Sequence, residues 1–436
     1  MSEIKKIFSD ESGGLRAPIV PFMLITSLFF MWGLANNLTD TLLAAFKRIM
    51  SLSDFQTSWI QVAFYGSYFC LALPAAVFIK RFTYKSGVLL GLGLYVLGAL
   101  LFYPASGAMQ YGFFLVSLFV LAGGLSILET AANPYIIAMG DPKTGTRRLN
   151  LAQSFNPIGS ISGVVISKFF ILSNLDRASA QERAEMSADQ LQSIQQAELS
   201  AVMGPYVTIG VLLLVLWIVI AARKMPKAST ESTNIDLWPT IKRLVKRKNY
   251  VGGVVAQFFY VGAQICVWSF TIRYVMQELD VVEATASNYY IAALIVFTLF
   301  RFINTWLMKY FRPANLLMGS AMLGVISTLL VIVGSGMFGV VALIAISGFM
   351  SLMFPTIFGL ASEGLGQDTK IGSSGLIMAI GGGAALPALM GWISDTTGSI
   401  HTAYWVPLAC FILIAGYGFL SSRYNLEKAT AETESV

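Results

Sequence analysis

The chain is 436 residues long, 56% hydrophobic and only 12% charged, with mean hydropathy +0.69 and a formal net charge of +6. Soluble proteins carry about a quarter charged residues, so this composition excludes an ordinary soluble globular chain. Three cysteines (Cys70, Cys266, Cys410) in separate apolar runs and a lone His401 argue against a disulfide framework or a Cys/His metal site. No nucleophile–base pair or Gly-rich phosphate loop marks an enzyme, and no cofactor or metal is expected.

The opening residues, 1–17, are polar and of mixed charge. The apolar run that follows is too long for the core of a signal peptide, so the first span is expected to stay in the mature protein. Sliding hydropathy predicts twelve spans, at 18–46, 55–79, 85–104, 111–139, 148–173, 201–222, 250–277, 285–308, 314–333, 336–362, 370–394 and 400–422. A helix needs about 20 apolar residues to cross the hydrocarbon core, and the short alternating segments of a β-barrel do not dominate. The expected fold class is an all-α membrane protein with twelve transmembrane helices in two six-helix bundles. An N-terminal bundle (18–222) would include an outer segment at 174–200, and a central loop at 223–249 would lead to a C-terminal bundle (250–422) and a tail at 423–436. Within the outer segment, the Ser187-to-Gln190 spacing suits a capping box and so a surface helix. The halves share a weak echo, "FFMWG" (29–33) against "FFYVG" (258–262); internal repeats are how many transporters build a midplane site.

Lys and Arg set the orientation. Of 29 such residues, only Lys47, Arg48, Lys168, Arg177, Arg183 and Arg273 fall on one set of flanks, with Arg301 inside a span; the rest, including the central run from Arg223 to Lys248, share the other side. The positive-inside rule places both termini and the central loop in the cytoplasm. The basic excess is therefore a topology signal, and no nucleic-acid partner is expected.

Polar groups inside the spans carry the functional signal. A charge near the bilayer centre costs about 2.5–3.5 kcal/mol on insertion scales, so such groups face a cavity and act there. Gly33, Asn36, Asn37 and Asp40 fall at i, i+3, i+4 and i+7 on one helical face, as do Ser126, Glu129 and Asn133. In span five, Gln153, Asn156, Ser160, Gly163 and Ser167 fall within about 80° of one another on a helical projection. Uncharged amides and hydroxyls suit a neutral polyol, although such groups also tie membrane helices together. In span seven, Gln264 has Tyr260 and Trp268 at i−4 and i+4, an amide between two rings of the kind that meets the C–H face and hydroxyl rim of a sugar. Arg301 is expected to be structural, pairing with cytoplasmic-side groups or carbonyls.

The motifs "ANNLTD", "LETAANP", "LNLAQSFN", "YVGAQ", "FPTIF" and "GLGQDT", in this order from about residue 18 to 422, resemble the fucose permease branch of the fucose–galactose–glucose proton symporters of the major facilitator superfamily. The resemblance implies proton-driven uptake of a monosaccharide, L-fucose foremost, by alternating access across a bacterial inner membrane. It carries the proton-coupling role onto Asp40 and Glu129, and sugar contacts onto Asn37, Gln153 and Asn156. With the polar and aromatic positions above, the expected sugar-binding set is Asn37, Glu129, Asn133, Gln153, Asn156, Tyr260, Gln264, Trp268 and Phe354. Fucose permeases of this type carry Tyr where this chain has Phe354 and a small residue where it has Pro157. The expected partners are a monosaccharide, protons and the lipid bilayer, with the protein a monomer.

Three other readings stay open at this stage. The sugar could be galactose, glucose or N-acetylglucosamine. A drug/proton antiporter shares such a fold, but "KRFTYKSG" (80–87) lacks the Asp of that class's motif after span two. A sugar-sensing membrane receptor would be expected to carry a soluble signalling domain.

Overall fold

The computed structural model describes residues 19–50, 54–108, 110–171, 180–226 and 236–434, with the side chains of 38–48 outside that description. The described elements are helices, in the order the apolar runs dictate. The first four spans are α1 (Ile19–Ile49), α2 (Asp54–Arg81), α3 (Tyr84–Ala108) and α4 (Tyr111–Ala138). Where span five was expected, two shorter helices stand, α5 (Gly145–Gln153) and α6 (Asn156–Ile166), the second running on into a π turn at Ser167–Ile171. The outer segment forms α7 (Ala180–Glu185) and the beginning of α8 (Ala188–Ala222), which continues unbroken as span six.

The second half holds α9 (Leu237–Lys246), α10 (Lys248–Leu279), α11 (Glu283–Leu307), α12 (Pro313–Val333), α13 (Gly336–Met350) and α14 (Met353–Ser362). It ends with α15 (Thr369–Met378), α16 (Gly382–Thr397), α17 (Ile400–Ala403) and α18 (Trp405–Glu434). Among the described residues, eleven helical segments are long and apolar enough to cross a membrane. The twelfth expected span, at 148–173, is the broken pair α5/α6. Exposed Leu212, Val215, Ile218, Met322 and Ile326 give the helix exteriors the apolar surface that lipid requires.

Two expectations need correction. The central segment is not all loop, since α9 lies within it and Arg243 of α9 pairs with Asp368 at 2.7 Å. That hydrogen bond holds the Arg243 guanidinium above its ordinary pKa. The span-five stripe also cannot be read on one continuous helix, because the helix stops. Pro157 has no N–H, so the carbonyl four residues back, Gln153 O, loses its helical donor. Ser154 turns inward, its N–H and hydroxyl both donating to Asn150 O at 3.0 and 2.7 Å, and α6 restarts with Pro157 in its first turn. The outer segment does carry the expected cap, Ser187 and Gln190 exchanging the two hydrogen bonds of a capping box.

The described chain forms two compact units. One comprises Met23–Ala132 and Phe155–Lys227; the other includes Asn133–Ser154 and the described residues from 236 onward. Within the first, α1 and α6 approach so closely that a Cβ on Gly159 would strike Phe30 O, and one on Gly163 would lie 2.6 Å from Leu34 O. Small residues four apart permit such helix contact in membranes. Within the second, Gly382 at the start of α16 meets Phe258 O of α10 in the same way. Just before it, Ala379–Gly381 interrupts span eleven. The echo between residues 29–33 and 258–262 thus marks a repeated device: a Phe–Phe backbone packed against a glycine beside a broken helix.

Candidate functional site

In the first unit the candidate coupling acid is held by a residue the motif reading did not include. Glu129, on α4, is 2% exposed. Tyr68, on α2, donates its phenol proton to Glu129 Oε1 at 2.9 Å. The other oxygen, Oε2, is buried with no donor among the described residues. The helices are tied one turn away, where Ser126 Oγ donates to Tyr68 O at 3.3 Å. A buried carboxyl with a single neutral donor is poorly equipped to stay ionised. A Tyr in an apolar span normally reads as packing, and its partner is 61 positions away; no spacing rule connects them.

Along the seam between α1 and α6, Asn156 Nδ2 donates to Phe29 O at 3.2 Å, and Ser160 Oγ to Gly33 O at 3.3 Å. These two groups act as helix ties in this conformation. Asn37 is half-buried, and a Cβ on Gly163 would lie 3.0 Å from the Asn37 Cβ. Trp32 stacks on Phe29 with ring centroids 5.9 Å apart, and Asn36 Oδ1 is buried with no donor among the described residues. Asp40 lies on α1, but its side chain is outside the described residues.

The second unit assembles the amides of the broken span. Gln153 Nε2 donates to Asn133 Oδ1 at 2.8 Å, and Asn133 is fully buried. Asn150 Nδ2 reaches Thr356 Oγ1 at 3.2 Å. Arg301 answers the carbonyl that Pro157 left without a donor: its Nη1 donates to Gln153 O at 3.0 Å and its Nε to Ser351 O at 2.6 Å. The guanidinium also lies 4.8 Å from the Phe297 ring centre. Of the two kinds of partner expected for Arg301, cytoplasmic-side groups or carbonyls, the structure contains the carbonyls, and the C-terminal end of α5 gives the guanidinium a favourable dipole.

Of the expected aromatic lining, Tyr260 is wholly enclosed, its ring 6.2 Å from that of Phe354. Enclosure on that scale leaves its ring face packed against protein. Trp268, half-buried, donates weakly to Ser347 Oγ at 3.4 Å and packs edge-on against Phe297. Gln264 is half-buried. One turn below Tyr260, Gln257 is fully buried with neither side-chain polar atom partnered among the described residues. It was not singled out from sequence, although it sits seven residues before Gln264. The structure therefore brings Gln153 onto Asn133 and Phe354 onto Tyr260, and gives Glu129 to Tyr68.

A polytopic chain whose described elements are helices, with amides, Glu129 and Arg301 enclosed in its spans, is built as a membrane transporter for a small polar solute. The Major Facilitator Superfamily model matches residues 22–370. The chain is 43% identical over 412 residues to the L-fucose-proton symporter of Haemophilus influenzae, covering 92% of this chain and 96% of that protein. It is 34% identical over 412 residues to the glucose/galactose transporter of Brucella abortus, with 92% and 93% covered. The solved Escherichia coli fucose:proton symporter superposes with a TM-score of 0.88 at 39% identity, covering 93% of this chain and 99% of that one. This chain belongs to the Major Facilitator Superfamily.

Proposed function

We propose that the protein takes up a monosaccharide, L-fucose foremost, together with protons, by alternating access. The observation that carries this reading is Glu129, enclosed in an apolar helix bundle with only one of its two oxygens answered. A carboxyl so placed is cheap to hold when protonated and costly when ionised. Its charge state thereby becomes linked to whether the site is open to water. The similarity to L-fucose-proton symporters supports the cargo. Phe354, which has no hydroxyl, and the glucose/galactose relative favour another hexose as the second reading.

In this reading Asp40 and Glu129 are the coupling acids, and Glu129 also hydrogen-bonds the sugar. Asn37, Asn133, Gln153 and Asn156 supply amides, while Tyr260, Gln264, Trp268 and Phe354 supply a face of rings and one amide. Several of these amides now bond helix to helix, so sugar binding exchanges those partners for sugar hydroxyls; buried amides left unpaired would be costly. The protein would act as a monomer in a bacterial inner membrane, with both termini cytoplasmic.

Two measurements test this. Adding L-fucose to de-energised cells making the protein should alkalinise the medium, and a panel of competing hexoses should rank the cargo. In vesicles, Asp40→Asn should abolish proton-driven accumulation while sustaining sugar exchange. No alkalinisation with any sugar, or loss of sugar binding in Asp40→Asn, would contradict the scheme.

A further inference from the structure

We infer that Tyr68 is a positioning residue for the acid on α4: its phenol pins Glu129 Oε1, so that the proton this acid takes up is carried on Oε2, the oxygen with no described donor. This rests on the proposed role of Glu129 and adds a residue and an atom to it.

The two oxygens of a free carboxyl are equivalent, and rotation exchanges them. Here they differ. Oε1 already accepts the one proton that a phenol can donate, at 2.9 Å. A proton placed on Oε1 would turn it into the hydroxyl oxygen, a poorer acceptor for that O–H than the carbonyl oxygen. Oε2 has no such neighbour among the described residues, so the acid proton goes there and gives Glu129 an O–H donor on its free side. Tyr68 is itself fixed, being 2% exposed, with its ring 5.4 Å from that of Phe64 and its carbonyl bonded by Ser126. The phenol is therefore a preset part of the site.

The same bond serves the ionised acid, for which it is the one described protein donor. Charge-assisted hydrogen bonds are about twice as strong as neutral ones, so removing the phenol O–H penalises the ionised form more than the protonated one. The other titratable groups bearing on the pair are Tyr65 on α2 and Tyr95 on α3. The side chain of Asp40 is outside the described residues.

The test is binding of labelled L-fucose to the purified protein from acid to alkaline pH. Tyr68→Phe should move the pH of half-maximal binding upward by about one unit, a tenfold gain in proton affinity. Placing a ring-fluorinated, more acidic tyrosine at position 68 keeps the shape and should move the midpoint downward; it also serves if Tyr68→Phe folds poorly. In a Glu129→Gln background neither change should matter. Unchanged midpoints in both single variants, with Glu129→Gln abolishing the pH dependence, would overturn the role of Tyr68 while sparing that of Glu129. A Glu129→Gln protein that keeps the wild-type pH profile would overturn the coupling role itself.

Discussion

Glu129 and Arg301 are both buried ionisable groups in apolar spans, 2% and 4% exposed, yet their surroundings are opposites. Arg301 donates to the carbonyls of Gln153 and Ser351 and lies over the Phe297 ring. Its charge is spread over partners that cannot themselves ionise, so it is a fixed cation with a structural task. Glu129 has one phenol on one oxygen and nothing described on the other. The difference teaches that intramembrane charge does not by itself mark a working group; the incompleteness of its hydrogen bonding does.

That contrast can be broken by exchanging which charge is lost. Glu129→Gln should reduce proton-driven sugar accumulation at least tenfold while leaving stability within about 1 kcal/mol, because an amide oxygen still accepts from Tyr68. Arg301→Met should do the reverse to stability, costing about 2–4 kcal/mol in detergent unfolding as two buried carbonyls lose their donor. A sharper form uses Pro157. In the Arg301→Met background, Pro157→Ala supplies the missing backbone N–H to Gln153 O and should recover about 1 kcal/mol; no recovery would mean that Arg301 stabilises through Ser351 O and the Phe297 ring, not through Gln153 O. Smallest of all, Ser187→Ala at the remote capping box should cost about 1 kcal/mol or less, with transport unchanged. This fixes the scale against which the other three are read.

Much of the scaffold was legible because a membrane makes two demands that a sequence displays openly. Apolar runs of spanning length located the helices, and the cost of charge in hydrocarbon singled out Glu129 and Arg301. That Arg301 would bond rather than work was legible, but the choice between cytoplasmic-side groups and carbonyls was not, because its carbonyl partners Gln153 and Ser351 lie far from it in the chain. The break in span five was only half legible. Pro157 stood out only as a departure from the fucose permease pattern, while the helical projection of Gln153 with Asn156 assumed continuity through it, and the structure separates those two amides onto α5 and α6. What could not be read were pairs whose members lie far apart in the chain. These include Tyr68 with Glu129, Asn150 with Thr356, and the buried Arg183–Glu198 pair at 2.5 Å. None has a local period or motif, because each exists only after helices pack. Gln257 was passed over for a different reason: beside aromatic neighbours it looks like any other interior amide until its lack of partners is seen.

The carbonyl of Gln153 is completed by a side chain 148 positions further along. A ribosome releases the fifth span into the bilayer long before Arg301 has been made, so during synthesis the broken segment waits with a bare oxygen. The first half of the newborn chain is on this account an unfinished object, and it reaches its settled form only when the eighth span arrives. Halves produced as separate polypeptides should therefore accumulate together far better than the first half does alone.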